Sequence, residues 1–260
     1  MRTSRPRGKE DVKRAVTSAA DFLPHRKTLG TLRIASNGCR GCDLFACATQ
    51  TVFGEGPSRA RLMLVDEVPG DVEDREGHVF VGPAGKLLDR ALEAAGIDRD
   101  ETYLTNAVKH FKWAKDARSE RRLHKTPNTA EVRACFPWLA SEIAVLKPRI
   151  IVCLGATAAK ALLGRDFSVM KSRGRPITSS PYAETLFATV HPSAVLRSPR
   201  ADRATAERAF VDDLRVVAKL LGQPEVDVAR RRGRLSKFEA WPTTAHRSAG
   251  SKSRIRSSLG

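Results

Sequence analysis

The sequence lacks any apolar run approaching the ~18 residues of a membrane-spanning helix, and its basic N-terminus has no apolar stretch of the kind that directs secretion. We therefore expect no membrane segment and a cytoplasmic protein. Cysteine is scarce, and the five cysteines form an odd set that fits a disulfide framework poorly. In a reducing compartment, metal or cluster ligation is the better interpretation of these thiols.

Acidic residues are too few to balance the basic ones. Lys and Arg total 46 against 29 Asp and Glu, which gives a net charge of +17 over 260 residues. A chain this basic usually binds a polyanion, and nucleic acid is the first candidate. Much of the excess lies at the two ends, which predicts a basic N-terminal extension (residues 1–29), one domain (residues 30–222) and a mobile basic tail (residues 223–260). The tail serves either solubility or phosphate binding.

Strand and helix patterns alternate along the middle of the chain. Short apolar runs predict buried parallel strands at residues 61–65, 102–108, 149–154 and 185–190. Helical patterns lie between or after them, at residues 85–95, 128–146, 157–163 and 204–221. This order predicts an α/β fold, a three-layer α/β/α sandwich with a central four-stranded parallel sheet. Ligands of such sheets bind at the carboxyl ends of the strands, so the segments that follow the strands are the candidate site.

Four of the cysteines are spaced like ligands. Cys39 and Cys42 form a Cys-x-x-Cys pair in a segment without helix or strand pattern, and Cys135 and Cys153 come much later. Such a set is consistent with a four-thiolate cluster or a zinc site. The alternative for Cys135 and Cys153 is that each is a small buried apolar residue. Cys47 has the weakest claim to be a ligand.

The cysteine spacing and several motifs resemble the family 4 branch of the uracil-DNA glycosylase superfamily. The segment Asp66-Glu67-Val68-Pro69-Gly70-Asp71 is similar to its first active-site motif, usually Gly-Glu-x-Pro-Gly. Further matches, in consistent order, are the segment from Phe80 to Gly85, the uracil-reading Asn106, and the second motif His191-Pro192-Ser193. The resemblance runs from about Cys39 to Leu221. It implies the uracil-DNA glycosylase fold and a [4Fe–4S] cluster held by Cys39, Cys42, Cys135 and Cys153.

One insertion resembles that of a particular group of enzymes within this superfamily. Residues 118–124, Arg-Ser-Glu-Arg-Arg-Leu-His, resemble the Lys-Arg-Arg-Ile-His insertion of UdgX-type enzymes, which form a covalent bond between the loop histidine and DNA. The chain departs from that pattern by Glu120 for Lys, Leu123 for Ile, Asp66 where Gly is common and Val68 where Gln is frequent. The resemblance assigns the loop histidine to His124.

The resemblance also implies a role for each candidate residue. Glu67 would stabilise the cationic sugar and orient or deprotonate a nucleophile, His191 would donate to uracil O2, and His124 would attack the sugar. Substrate binding falls to Asn106, Phe80, Val68, Gly70, Asp71 and Arg197. Asn106 can pair with uracil N3–H and O4, and Phe80 offers a ring face for stacking.

Each of these side chains also has an ordinary structural interpretation. Asn106 could cap a strand end, Phe80 could be a core aromatic, and His124 could be a surface histidine in a phosphate-binding loop. The acidic residues Asp71, Glu73 and Asp74 are expected in a solvated loop that could shape the site.

The sequence therefore predicts an enzyme that excises uracil from DNA, single- or double-stranded, and becomes linked to it through His124. We expect a monomer that works in the cytoplasm, associated with the nucleoid. Two alternatives remain open: a repair glycosylase that turns over with water as the nucleophile, and a catalytically silent binder of uracil-containing or single-stranded DNA.

Overall fold

The computed structural model describes residues 18–178 and 180–222. The tail expected over residues 223–260, and the part of the expected N-terminal extension before residue 18, lie outside the described residues. No helix within the described ranges is long and apolar enough to cross a bilayer.

A four-stranded parallel sheet forms the centre of the molecule. The described residues form this sheet and a separate two-stranded one, with six strands in all: β1 (Leu62–Asp66), β2 (Thr102–Asn106), β3 (Trp113–Lys115), β4 (Arg122–His124), β5 (Ile150–Leu154) and β6 (Thr185–Thr189). Strands β1, β2, β5 and β6 are fully buried and pair in parallel in the order β2-β1-β5-β6. The four predicted strands and the parallel sheet are confirmed, with strand ends that shift by one or two residues.

Helices cover both faces of this sheet. They are α1 (Leu29–Ser36), α2 (Asp71–Glu76), α3 (Pro83–Ala95), α4 (Thr129–Leu146), α5 (Ala156–Leu163), α6 (Val169–Ser172), α7 (Pro192–Leu196) and α8 (Arg200–Gly222). The four predicted helices are confirmed as α3, α4, α5 and α8. Their ends follow ordinary capping chemistry: the Asn128 side chain accepts the Glu131 N–H at the start of α4, and Gly96 adopts φ 74° at the end of α3.

Successive side chains of each strand enter different layers, because strand side chains alternate between faces. Met63 and Ile151 pack with residues of α1, α4 and α5, whereas Leu64 and Val152 pack with residues of α3 and α8. The sheet is thus the middle layer of an α/β/α sandwich, as the sequence predicted. Cys153 points into the same layer as α4.

Residues 18–29 pack against the domain, although the sequence analysis placed them in the N-terminal extension. A short 3₁₀ helix, Ala19–Phe22, contacts α4, and Ala19 is buried. Gly41 makes this contact possible, because a Cβ atom at Gly41 would lie 2.5 Å from the Ala19 nitrogen. The folded unit therefore extends N-terminal to residue 30.

The structure contains several short elements that the sequence analysis did not anticipate. Strands β3 and β4 pair antiparallel, with Trp113 opposite His124. We call the segment Trp113–His124 the His124 hairpin. Helices α2 and α7 have six and five residues, too few to produce a helical apolar pattern. All three elements border the candidate site.

Candidate active site

A cavity of about 560 Å³ opens at the carboxyl ends of β1, β2 and β6, the position expected for ligands of parallel sheets. It brings together all nine residues that the sequence analysis proposed for catalysis and substrate binding. They are Glu67, Val68, Gly70, Asp71, Phe80, Asn106, His124, His191 and Arg197. These residues come from five separate segments of the chain, so the fold alone assembles them.

Glu67 follows β1 directly and contributes a carboxylate to the cavity wall. Its Oε1 atom is buried and has no hydrogen-bond partner among the described residues. A buried carboxylate oxygen without a donor is energetically unfavourable, and such groups concentrate at functional sites. This oxygen can interact with a positive charge or a proton donor that enters the cavity.

His191 begins α7, and both of its ring nitrogens have partners. Nδ1 accepts the Ser193 backbone N–H at 2.9 Å and lies 2.7 Å from Ser193 Oγ, while Nε2 lies 2.6 Å from Asp66 Oδ1. Burial alone would lower the pKa of His191, but the Asp66 and Glu67 carboxylates outweigh burial and raise it. Because Nδ1 accepts a backbone N–H, the ring proton belongs on Nε2, facing Asp66.

Asn106 and Phe80 form another part of the cavity wall. Asn106 ends β2, pairs in register with Asp66, and is 2% exposed. Phe80 adopts φ 58°, a left-handed conformation that is unfavourable for an aromatic residue. Its carbonyl lies so close to Gly85 that any Cβ atom there would collide with it. Strain of this kind persists when the surrounding structure fixes a side chain for a function.

His124 ends the His124 hairpin and reaches the cavity while keeping an exposed side. Its ring lies 6.1 Å from the Phe111 ring at an interplanar angle of 38°. Desolvation lowers the pKa of His124, although the nearby Glu67 and Asp66 carboxylates act in the opposite direction. The imidazole is therefore neutral at pH 7 and retains a nucleophilic lone pair.

Arg122 anchors the His124 hairpin to α2. Its guanidinium lies 2.5 Å from Asp71 Oδ1 and 2.6 Å from Asp74 Oδ2. It also stacks over the rings of Phe111 and Trp113, at 5.2 and 5.6 Å from their centroids. Because Arg122 is two residues before His124 on one strand, these contacts fix the position of the imidazole.

Two acidic residues of α2, Glu73 and Asp74, are buried, so the expectation that they are solvated was wrong. Asp74 is fully buried and Glu73 is 9% exposed. Asp74 pairs with Arg122 and accepts from Thr49, while Glu73 Oε1 accepts the Gly82 N–H at 2.8 Å. These contacts tie α2 to the start of α3 and to the His124 hairpin. Burial is tolerated because each carboxylate has partners.

The described cysteines are free thiols, and three of the four proposed ligands lie near one another. Cys39 and Cys42 both act electrostatically on Cys135, and burial raises the pKa of the Cys135 thiol. The sulfur of Cys39 accepts the Trp138 Nε1–H and that of Cys135 accepts the Lys109 N–H, each at 3.3 Å. Such N–H donors to sulfur are typical surroundings of iron–sulfur clusters.

Cys153 belongs to the same apolar cluster as Cys39 and Cys135, but no contact with them is resolved. Burial raises its pKa to about 12. Within the described residues, no three His, Cys, Asp or Glu side chains converge as they would around a single metal ion. The apolar, N–H-rich surroundings of the thiols fit a larger iron–sulfur group, which spreads its ligands further apart. Cys47 is exposed and lies outside this cluster.

Asp66 was noted from the sequence only as a departure from the motif, and the pairing of Arg122 with carboxylates was not predicted. Asp66 partners His191, and Arg122 partners two buried carboxylates. No local pattern signals either pairing, because the partners are separated by about fifty or more residues in the sequence. The position of Asp66 at the end of a buried strand was the only available sign.

Comparison with known proteins identifies similar chains. A profile of the uracil DNA glycosylase superfamily matches residues 53–215. A Type-4 uracil-DNA glycosylase of Sulfurisphaera tokodaii is 37% identical over 62% of this chain and 72% of its own length. Others are those of Pyrobaculum aerophilum, 38% identical over 62% of this chain and 81% of its own, and Thermotoga maritima, 37% over 62% and 79%.

Proposed function

The chain belongs to the uracil-DNA glycosylase superfamily, and on that premise we propose that it excises uracil from DNA and then becomes covalently linked to the sugar through His124. One observation carries the proposal: Glu67, whose buried Oε1 has no hydrogen-bond partner among the described residues, lines the same cavity as the His124 imidazole. A carboxylate and a nucleophile are thus available to the same substrate.

Recognition of uracil requires that the base leave the DNA stack and enter the cavity. The Asn106 amide supplies an acceptor for uracil N3–H and a donor for O4, and the Phe80 ring supplies a stacking surface. Val68, Gly70 and Asp71 complete the wall on the side of β1, and Arg197 lies at the side of α7. We propose that these residues hold the extruded base and its sugar.

Cleavage of the N-glycosidic bond moves the bonding electron pair onto uracil and leaves an oxocarbenium-like sugar. The Nε2–H group of His191 donates to O2 as negative charge develops on the base. The Glu67 carboxylate balances the positive charge on the sugar. Neither step needs a residue from outside the cavity.

The sugar is then captured by His124. The lone pair of the neutral imidazole forms a bond to C1′, and the remaining ring N–H proton passes to Glu67 or to water. The product, an N-glycosyl histidine, has no good leaving group, so the enzyme stops after one turnover. The lowered pKa of His124 supports this step, because a protonated imidazole has no lone pair to donate.

We further propose that Cys39, Cys42, Cys135 and Cys153 hold a [4Fe–4S] cluster. Such a cluster would link the 39–42 loop to α4 and β5 and so stabilise the fold. The chemistry described above uses no electron transfer, and we assign the cluster a structural role.

The partner is uracil-containing DNA, single- or double-stranded, and the net charge of +17 favours association with its phosphates. We propose a monomer that acts in the cytoplasm on the nucleoid.

An SDS gel of the protein mixed with end-labelled uracil-DNA tests the proposal. A band that survives SDS and boiling supports covalent capture, with thymine-DNA of the same sequence as the control. An abasic product without a shifted band would show turnover with water. Retention of DNA in a native gel with neither product would show a silent binder.

A further inference from the structure

Asp66 holds the hydrogen-bond donor that excision requires. Its Oδ1 atom lies 2.6 Å from His191 Nε2 and also accepts the Glu67 N–H at 2.6 Å. Asp66 is the last residue of β1 and is 7% exposed, so strand pairing and burial keep its carboxylate in place. Nδ1 accepts a hydrogen bond from the Ser193 backbone N–H, and the imidazole therefore has only the Nε2 proton to donate.

Building on the proposed function, we propose that Asp66 is a positioning residue that restrains His191 and slows cleavage of the glycosidic bond. To accept a hydrogen bond from the Nε2–H of His191, uracil O2 has to replace the Asp66 carboxylate as the acceptor. A charged acceptor forms a stronger hydrogen bond than a neutral carbonyl oxygen, so Asp66 keeps the proton in the ground state. Uracil O2 competes with it only as negative charge accumulates on the base.

The negative charge of Asp66 should also slow cleavage of the glycosidic bond. Asp66 and Glu67 both line the cavity that receives uracil. Glu67 faces the positive sugar, whereas Asp66 lies beside the group that contacts the departing base. A carboxylate at that point repels the developing uracil anion. The motif usually has glycine here, and this chain thus carries an additional acceptor in the site.

The kinetic experiment measures single-turnover uracil release from uracil-DNA. Asp66→Gly and Asp66→Asn should release uracil roughly tenfold faster than the parent protein, because His191 is freed from a charge-assisted hydrogen bond. Asp66→Asn keeps an acceptor for the Glu67 N–H and guards against loss of folding in the glycine variant. The control for removal of a carboxylate is Asp89→Asn, whose residue pairs with Arg99 on the surface and does not line the cavity.

The same substitutions in a His191→Ala background test whether Asp66 affects uracil release through His191. If Asp66 acts through His191, the acceleration disappears when His191 is absent. Equal or slower release by both Asp66 variants would overturn the proposal, and so would an unchanged acceleration in the His191→Ala background. A purely structural Asp66 would produce slower release in either background.

A nuclear magnetic resonance titration of the His191 ring tests the pairing without any catalysis. The charged groups facing this ring are Asp66, Glu67 and Arg197, and His124 is a further titratable group beside it. Removal of the Asp66 charge should shift the midpoint of His191 to lower pH in Asp66→Asn, with the signal assigned by its absence in His191→Ala. An unchanged midpoint would overturn the proposal. If the parent protein released no uracil, the proposed function would fail, and this titration would decide the Asp66 pairing alone.

Discussion

His124 and His191 line one cavity, but their surroundings make the two imidazoles chemically different. Both nitrogens of His191 are hydrogen-bonded, and the neighbouring carboxylates raise its pKa. His124 keeps an exposed side, and desolvation lowers its pKa. Opposite shifts within one site are a common way to assign different roles to similar groups. Here they suit His191 for keeping a ring proton as a hydrogen-bond donor and His124 for donating an electron pair.

Replacement of the proposed nucleophile should separate excision from capture. His124→Ser should abolish the SDS-stable adduct and still release uracil, because Glu67, Asn106 and His191 come from other segments and water can reach the sugar. Gel analysis and quantification of free uracil measure both products. Mass spectrometry of the parent adduct should place the DNA remnant on His124. A remnant on Lys125 or Lys109 would instead indicate Schiff-base chemistry and refute the histidine mechanism.

The lowered pKa of His124 predicts how capture depends on pH. The neutral ring is the reactive form, and it is lost only as pH falls through a pKa that lies below the ordinary value of ~6.5. The rate of adduct formation should therefore be flat from pH 8 to 7 and fall below pH ~6.5. Rapid-quench gels over this range measure it. A rate that already declines between pH 8 and 7 would contradict the lowered pKa of His124.

Base selectivity should depend on Asn106. Asn106→Ala leaves uracil N3–H and O4 unpaired in an enclosed cavity, a loss of about 1–3 kcal/mol or tenfold and more in rate. Single-turnover excision of uracil is the measurement. Asn37→Ala, an exposed position at the end of α1, is the matched control and should keep the parent rate. Full activity of Asn106→Ala would mean that the base binds elsewhere.

At the scale of elements, the His124 hairpin and α2 form one unit. Arg122 joins them through Asp71 and Asp74, and it is the residue that determines where His124 lies. A displacement of about 1 Å in a reacting group can reduce a rate a hundredfold. The position of this hairpin thus decides whether His124 or water reaches the sugar first.

Arg122→Ala should therefore lower the ratio of adduct to free uracil, by about tenfold to a hundredfold, while uracil excision itself continues. The ratio does not depend on DNA affinity, so it separates positioning from phosphate binding. The matched variant Arg121→Ala removes an exposed arginine that has no ion pair with α2, and it should leave the ratio unchanged. Equal effects of the two substitutions would argue against the anchor.

The long elements could be predicted from the sequence, whereas the short elements around the site could not. The apolar runs of β1 and β5 and the capped pattern of α4 carry local signals. Helix α2 and the His124 hairpin depend on ion pairs between residues some fifty positions apart. Solvation of Glu73 and Asp74 was the wrong prediction for the same reason, since their acidity suggests exposure until their partners are known.

At the scale of the whole molecule, the cysteines connect three parts of the fold. Cys39 and Cys42 lie in the loop after α1, Cys135 on α4 and Cys153 on β5. A cluster on these residues would therefore join the N-terminal segment to the central sheet. That arrangement predicts that loss of one ligand destabilises the whole domain rather than the cavity alone.

Analysis of iron and acid-labile sulfide should find both in the purified protein, with broad absorption near ~400 nm. Cys42→Ser should lose the iron and the colour and should melt at a lower temperature. Cys47→Ser should keep all three properties, because Cys47 is exposed and outside the cysteine cluster. One zinc per chain without iron would exclude the cluster.

Cys153 allows the most specific test of the cluster. Its two interpretations, a buried apolar residue and a cluster ligand, predict different iron contents for a single substitution. Cys153 is fully buried in β5 without a resolved contact to another cysteine. If it is only a small apolar residue, Cys153→Ala costs little packing and leaves the iron in place. If it is the fourth ligand, the same substitution removes a thiolate and the iron content falls as it does in Cys42→Ser. Because alanine preserves the apolar surroundings, a loss of iron without unfolding of the apoprotein identifies a ligand, and retained iron would limit the protein's contribution to three thiolates.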